Sequence, residues 1–290
     1  MKLANVKGRA TIVTDAGGLD VERASFGRFG PDLQSLFTHW ADVRSWADAL
    51  ASDEETAEPI VEPIVEPIDE ATLGSPVPHP PQVFGIGLNY RQHAAETGAT
   101  LPSIPATFTK FPTCIAGPFV DIELPSGNVD WEVELVVVIG AESHRVTAED
   151  AWSSVAGLAV GQDLSERVVQ MAAGAQFCLG KSYPGFGPIG PWLVTPDEFG
   201  NPDDLGLTCE IDGEEVQNSR TSDMVFDVPR LIAELSAVLP LLPGDVIFTG
   251  TPAGVGVART PPRFLQPGEV LTSTIEGIGT IRNRCVAPDQ

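Results

Sequence analysis

Basic residues are what this chain has least of: 17 Lys and Arg stand against 40 Asp and Glu, a net charge of −23. Such a surface repels phosphate polymers and anionic headgroups, which argues against nucleic acid or membrane as a partner. Cysteine is scarce as well. Cys114, Cys178, Cys209 and Cys285 lie far apart with no C-x-x-C pair, so neither a zinc ribbon nor a disulfide framework is expected, and the four read as free thiols of a reducing compartment. No apolar run approaches the ~20 residues that span a bilayer. The opening MKLANVKGRATIVTDAGGLDVERA has no signal-peptide core, and the expected location is the cytoplasm. A regular strand–helix alternation is missing too, which argues against a doubly wound sheet.

Turn formers are plentiful: 26 prolines and 29 glycines suggest many short strands. Residues 1–30 read as hairpins with a turn at Gly17–Gly18. Leu33, Leu36, Phe37, Trp40, Val43, Trp46 and Leu50 recur at helical spacing and predict a helix within 31–51. EPIVEPIVEPIDE (58–70) places a proline in each four-residue copy, which excludes helix and interior strand. It reads as an extended acidic connector, with a boundary near residue 75. The expected organisation is a small N-terminal α+β domain over 1–75, its connector at 52–75, and a catalytic domain over 76–290.

Beyond the connector the pattern is β-rich. QVFGIGLNY (82–90) and DWEVELVVVIG (130–140) read as strands. Thr147 with Asp150 looks like a capping box opening a short helix, followed by the strand-like GLAVGQD and a second helix. LGLTCEIDGEEVQ (205–217) predicts a hairpin turning at Asp212–Gly213. An amphipathic helix is expected at about 229–239, and the end is β-rich again. The fold class is α+β.

The strand DWEVELVVVIG carries an oddity. Side chains alternate faces along a strand, so Glu132 and Glu134 share one face beside an apolar run. Two like charges placed so call for a counter-charge or for solvent. A divalent cation with oxygen ligands would resolve the conflict; a solvated strand edge would do so equally. Asp163, at the end of GLAVGQD, offers a third acid and favours the metal. In GLNYRQHAAE, His93 and Glu96 are spaced to meet on a helix face, as a base oriented by a carboxylate would be; an exposed helical pair fits the same spacing. His39, His79 and His144 have no such neighbour and read as surface residues. Lys181 lies in the Gly/Pro-rich LGKSYPGFGPIGPW, and Arg167 and Gln170 share a helix face after Asp163. GDVIFTGTPAGVG ends in a glycine-rich turn whose N–H groups could hold an anion. It lacks a P-loop lysine, which disfavours nucleotide binding.

Taken together, GIGLNYRQHAAE, Phe108/Lys110/Pro112, DWEVELVVVIG, AGLAVGQDLSERVVQ, LGKSYPGFGPIGPWLVT, IDGEEVQNSRTSDMVF, PGDVIFTGTPAGVG and IEGIGTIRN resemble the fumarylacetoacetate hydrolase family, in family order over about residues 82–284. The resemblance implies a mixed β-roll, a homodimer, and Mg²⁺ or Mn²⁺ held by Glu132, Glu134 and Asp163. It also implies His93 and Glu96 as a catalytic dyad on a lid helix, Lys181 as a catalytic cation, and Arg167, Gln170 and Thr251 along the substrate pocket. Gly87-Leu88-Asn89-Tyr90 stands where some members carry a fourth acid, which disfavours a calcium site. The implied reaction is hydrolysis of a C–C bond in a 2,4-dioxo acid of acylpyruvate or fumarylpyruvate type through a stabilised enolate. Decarboxylation or isomerisation of a 2-oxo acid and dehydration of a 2-keto-3-deoxy sugar acid are the alternatives. A non-catalytic calcium-binding module is a further one, for which His93, Glu96 and Lys181 would be superfluous.

Overall fold

The structure, a computed structural model, describes residues 1–51, 65–172, 174 and 176–288. A large mixed sheet runs in spatial order Val65–Glu66, Gly17–Asp20, Arg9–Thr14, Lys2–Val6, Gly187–Val194, Val155–Gln162, Val133–Ile139, Val246–Phe248, Val83–Gly87 and Ala106–Thr109. A second sheet orders Glu214–Arg220, Gly206–Ile211, Val270–Ile275, Gly279–Val286 and Ile122–Glu123. The fold is thus β-rich α+β with few helices.

Val133–Ile139 and Val155–Gln162 are buried along their whole length, as near-continuous apolar strands covered on both faces should be. Val133, Leu135, Val137 and Ile139 share a core with Leu207, Ile211, Leu271 and Ile281 of the second sheet. Val136 and Val138 point the other way and pack with Phe37, Trp40 and Val43. The N-terminal segment therefore roofs the face that Glu132 and Glu134 share by parity. Each such buried Val or Phe contributes about 1.5–3 kcal/mol, so exposing this face would be costly. Lys2–Val6 also pairs with Gly187–Val194, Leu3 facing Leu193. The sheet and this second core are continuous across residue 75, where the boundary was expected.

Local expectations are mostly met, with three corrections. The second hairpin turns at Asp15–Ala16, Thr14 facing Gly17, so Gly17 and Gly18 lie in the strand. A side chain at Gly18 would stand 2.7 Å from Thr11 Cγ2, so close approach, not turning, explains that glycine. The helix within 31–51 is broken into Leu33–Leu36, a tighter turn at Phe37–His39, and Trp40–Ala51. The Thr147 hydroxyl donates to Asp150 Oδ2 at 2.9 Å; the two side chains satisfy each other, and only a 3-10 turn at Ala151–Ser154 follows. Asp212 and Gly213 both adopt positive φ, 51° and 84°, as a type I′ hairpin requires. The helix expected at 229–239 is Val228–Val238, capped by Asp227 accepting from the Arg230 N–H. Residues 52–64 of the proline-rich connector lie outside the described residues. Its next residues, Val65–Glu66, form an edge strand, the one strand position that tolerates neighbouring prolines.

The four cysteines are free, and all but Cys178 are buried. Among the described residues no helix is long and apolar enough to cross a membrane.

Candidate active site

The two central strands end together. Val133 faces Gln162 and Glu134 faces Gly161, and one step on the Asp163 N–H donates to the Glu132 carbonyl at 2.9 Å. Side chains of two buried glutamines hold the backbone open there. Gln162 Oε1 accepts from the Glu132 N–H at 2.8 Å and Gln217 Oε1 from the Val133 N–H at 3.0 Å. Each buried N–H thus keeps a partner while the strand end is freed to present acids. One carboxylate oxygen each from Glu132, Glu134 and Asp163 lies within 4.8 Å of the others, and all three side chains are buried.

Cations surround two of these acids. Lys181 Nζ donates to Glu132 Oε2 at 2.7 Å and to Asp163 Oδ2 at 2.6 Å. Arg167 Nη2 pairs with Glu132 Oε1 at 2.7 Å, and its Nη1 donates to Gln170 Oε1 at 2.9 Å. Burial would raise the Glu132 carboxyl, but Lys181 and then Arg167 overcome it and hold it down at about 2. Glu134 goes the other way. Burial, then Asp163 and Glu132, push its carboxyl well above the ordinary range. Among the described residues it has no ion pair, only the Gly250 N–H donating to Oε2 at 2.8 Å. A buried carboxylate lacking a counter-charge beside two others is what a hard divalent cation would neutralise. Nearby, the buried Tyr90 hydroxyl, whose acidity burial and then Glu134 suppress, has no hydrogen-bond partner among the described residues.

His93 and Glu96 meet on the helix Arg91–Thr97, Nδ1 to Oε1 at 2.7 Å. That contact leaves Nε2 as the ring nitrogen available for proton transfer. A protonated His93 would draw the Glu132 carboxyl down further, so dyad and acids belong to one electrostatic neighbourhood. Asn89 just before the helix, where a fourth acid was sought, is fully buried and spends its amide on backbone. It donates to the Phe226 and Thr249 carbonyls and accepts from the Phe226 N–H. The three remaining histidines are exposed, as expected.

The glycine-rich turn after Val246–Phe248 does hold anions, but they are the protein's own. The Gly250 N–H serves Glu134, the Gly254 N–H serves Glu96 at 2.9 Å, and the Gly256 and Val257 N–H groups serve Asp130 at 2.6 and 3.0 Å. Thr251 lies in this turn with its hydroxyl committed, donating to the Val133 carbonyl at 3.0 Å and accepting from Gln217 Nε2 at 2.8 Å. At Gly254 φ is +110° and a Cβ would meet the Val216 carbonyl oxygen at 2.1 Å. Gly254→Ala is expected to lower stability by about 3 kcal/mol, from strain and displaced backbone, and to loosen Glu96. A shifted urea midpoint with reduced activity would show both; an unchanged midpoint would count against this reading of the turn.

Several contributors lay beyond sequence reasoning. Asp130 is fully buried and accepts from Arg167 Nε and Nη2 at 2.9 and 2.7 Å. Lys110 is fully buried, with Nζ on Asp163 Oδ1 at 2.5 Å. The signal for Asp130 was its place at the head of DWEVE. Lys110 stood in a matched motif without a role, because its partners are 53 or more residues away.

The structure thus sets three buried acids at the ends of central strands beside a His–Glu pair, and sequence comparison places that arrangement in a known family. The profile described as fumarylacetoacetate (FAA) hydrolase C-terminal matches residues 82–286, and the chain belongs to the fumarylacetoacetate hydrolase family. The crystal structure of an HpcE candidate from Mycobacterium smegmatis superposes with a TM-score of 0.92 at 50% identity, covering 100% of both chains. The mitochondrial oxaloacetate tautomerase Fahd2a of Rattus norvegicus is 44% identical over 219 residues, 75% of this chain and 70% of its own. Maleylpyruvate hydrolase from Sphingobium sp. SYK-6, solved with manganese(II) and pyruvate, has a TM-score of 0.79 at 27% identity, covering 100% of both chains. Members of the family are enzymes, and these relatives differ in reaction.

Proposed function

We propose that this protein is a metal-dependent enzyme that cleaves a C–C bond of a small 2,4-dioxo acid of acylpyruvate or fumarylpyruvate type by hydrolysis. The observation that carries the reading is the buried triad Glu132, Glu134 and Asp163, with one carboxyl left without a cation, beside the oriented His93–Glu96 pair. Mg²⁺ or Mn²⁺ held by the three acids would supply Lewis acidity to the carboxylate and 2-oxo oxygens of the substrate. Oxygen-only donors suit these hard ions, and the manganese of the Sphingobium relative supports the choice.

The chain's own groups do the rest. His93, held at Nδ1 by Glu96, takes a proton from water at Nε2 as the water oxygen bonds to the distal carbonyl carbon. The C–C bond then breaks with its electrons on the pyruvate side, a carbanion that leaves only if its charge is delocalised as an enolate. Lys181 and Arg167 place positive charge at that side of the site. A proton returned to the enolate carbon completes the release of pyruvate and a second acid. Gln170, hydrogen bonded to Arg167, fixes the guanidinium at the pocket wall. A homodimer is the proposed assembly, testable as a mass near twice the 30.7 kDa chain in light scattering.

A second reading, tautomerisation of an oxaloacetate-like acid, is favoured by the 44% identity to the rat enzyme and needs only the proton transfers. Metal-supplemented protein incubated with a panel of 2-oxo and 2,4-dioxo acids, products identified by mass spectrometry and enol absorbance, separates the two. Pyruvate release from a 2,4-dioxo acid, abolished by EDTA, is the expected result. Enol–keto exchange of oxaloacetate without cleavage of any dioxo acid would replace the first reading by the second.

A further inference from the structure

We propose that Lys110 is a positioning residue for the metal site, aligning Asp163 and Lys181 at once; this rests on the metal-dependent reading above. Its ammonium is fully buried and has three acceptors: Asp163 Oδ1 at 2.5 Å, the Lys181 carbonyl, and the Phe186 carbonyl at 3.2 Å. An ammonium has three protons, so its hydrogen-bonding capacity is matched by these three. Lys110, at the end of the strand Ala106–Thr109, thus ties two other places in the chain together: the strand end at Asp163 and the loop that carries Lys181 into Gly187–Val194.

The two oxygens of Asp163 are divided between two lysines. Oδ1 belongs to Lys110, and Oδ2 meets Lys181, whose ammonium also donates to Glu132 Oε2. Lys181 Nζ stands between two of the three acids, where an arriving divalent cation competes with it. Among the described residues Lys110 has no hydrogen bond to Glu132 or Glu134 and has no such conflict. It can therefore stay on Oδ1, hold the carboxylate plane so that Oδ2 points into the triad, and fix the Lys181 backbone while the Lys181 ammonium moves. Groups that orient a ligating carboxylate from behind have large effects on metal affinity, on the order of 10–100-fold.

Charge and positioning predict opposite signs, which makes the test decisive. On Coulomb's law alone, removing a cation beside three carboxylates strengthens binding of a second cation. If Lys110 acts by positioning, Lys110→Met weakens it. Mn²⁺ affinity of the full chain is measured by calorimetry for the wild type, Lys110→Met, Lys110→Gln and Lys181→Met, with circular dichroism to confirm folding. The expected results are a 10–100-fold weaker Mn²⁺ affinity for Lys110→Met, a partial recovery in Lys110→Gln, whose neutral amide still donates, and unchanged or tighter binding in Lys181→Met. Tighter or unchanged binding in Lys110→Met would reduce Lys110 to a counter-charge and overturn the proposal. Loss of folding in both Lys110 variants would assign the residue to the fold and overturn it as well. A wild-type protein that binds no Mn²⁺ would instead sink the metal-dependent reading itself.

Discussion

Glu132→Ala is expected to lower turnover of the proposed dioxo acid by about 10³-fold even after the protein is saturated with Mg²⁺ or Mn²⁺. Glu132 is the junction of the site: it is one of the three clustered acids, it receives Lys181 on Oε2, and it receives Arg167 on Oε1. Lewis-acid stabilisation of the developing enolate is worth several kcal/mol, and each 1.36 kcal/mol is tenfold in rate. Truncation also releases Lys181 from one of its two carboxylates, so the cation that faces the leaving group loses its place. Arg167 keeps Asp130, which should preserve the fold of the pocket wall. The measurement is kcat of EDTA-treated, metal-restored enzyme, with Mn²⁺ affinity in parallel. If turnover of Glu132→Ala equals that of the wild type, the acids are not the reacting centre.

His93→Ala should cost 10²–10⁴-fold in hydrolysis, the range expected for a positioned general base, and leave Mn²⁺ affinity nearly intact. Among the described residues the imidazole hydrogen bonds with Glu96 and with none of the three acids, so its loss removes a proton acceptor without removing a ligand. The variant also separates reaction types. Water attack and tautomerisation both need a base, whereas decarboxylation needs no attacking water and would survive. Retained pyruvate release from a dioxo acid in His93→Ala would remove the dyad from the mechanism; lost metal binding would show that the helix Arg91–Thr97 supports the acids.

What the chain order determined by itself is substantial. Alternation along DWEVE predicts Glu132 and Glu134 on one face, and their carboxylates do cluster although the strand itself begins at Val133. The i, i+3 spacing put His93 against Glu96, and Asp212–Gly213 turned a hairpin because both positions sit at positive φ. These are local relations, set by backbone periodicity within a few residues. Tertiary structure decided the rest, because it concerns partners distant in sequence. Whether the two glutamates met solvent or a closed site depended on Asp163 arriving 31 residues after Glu132 in sequence and on Lys181, Arg167 and the Gly250 N–H folding against them. The same holds for the glycine turn, legible as an anion holder but not as the holder of Glu134, Glu96 and Asp130. It holds most of all for Lys110, an ordinary lysine in FTKFP until folding carries it from water into a pocket of three acceptors. A buried ammonium is tolerated only where every proton is met, and only the assembled fold brings Asp163, Lys181 and Phe186 to one point.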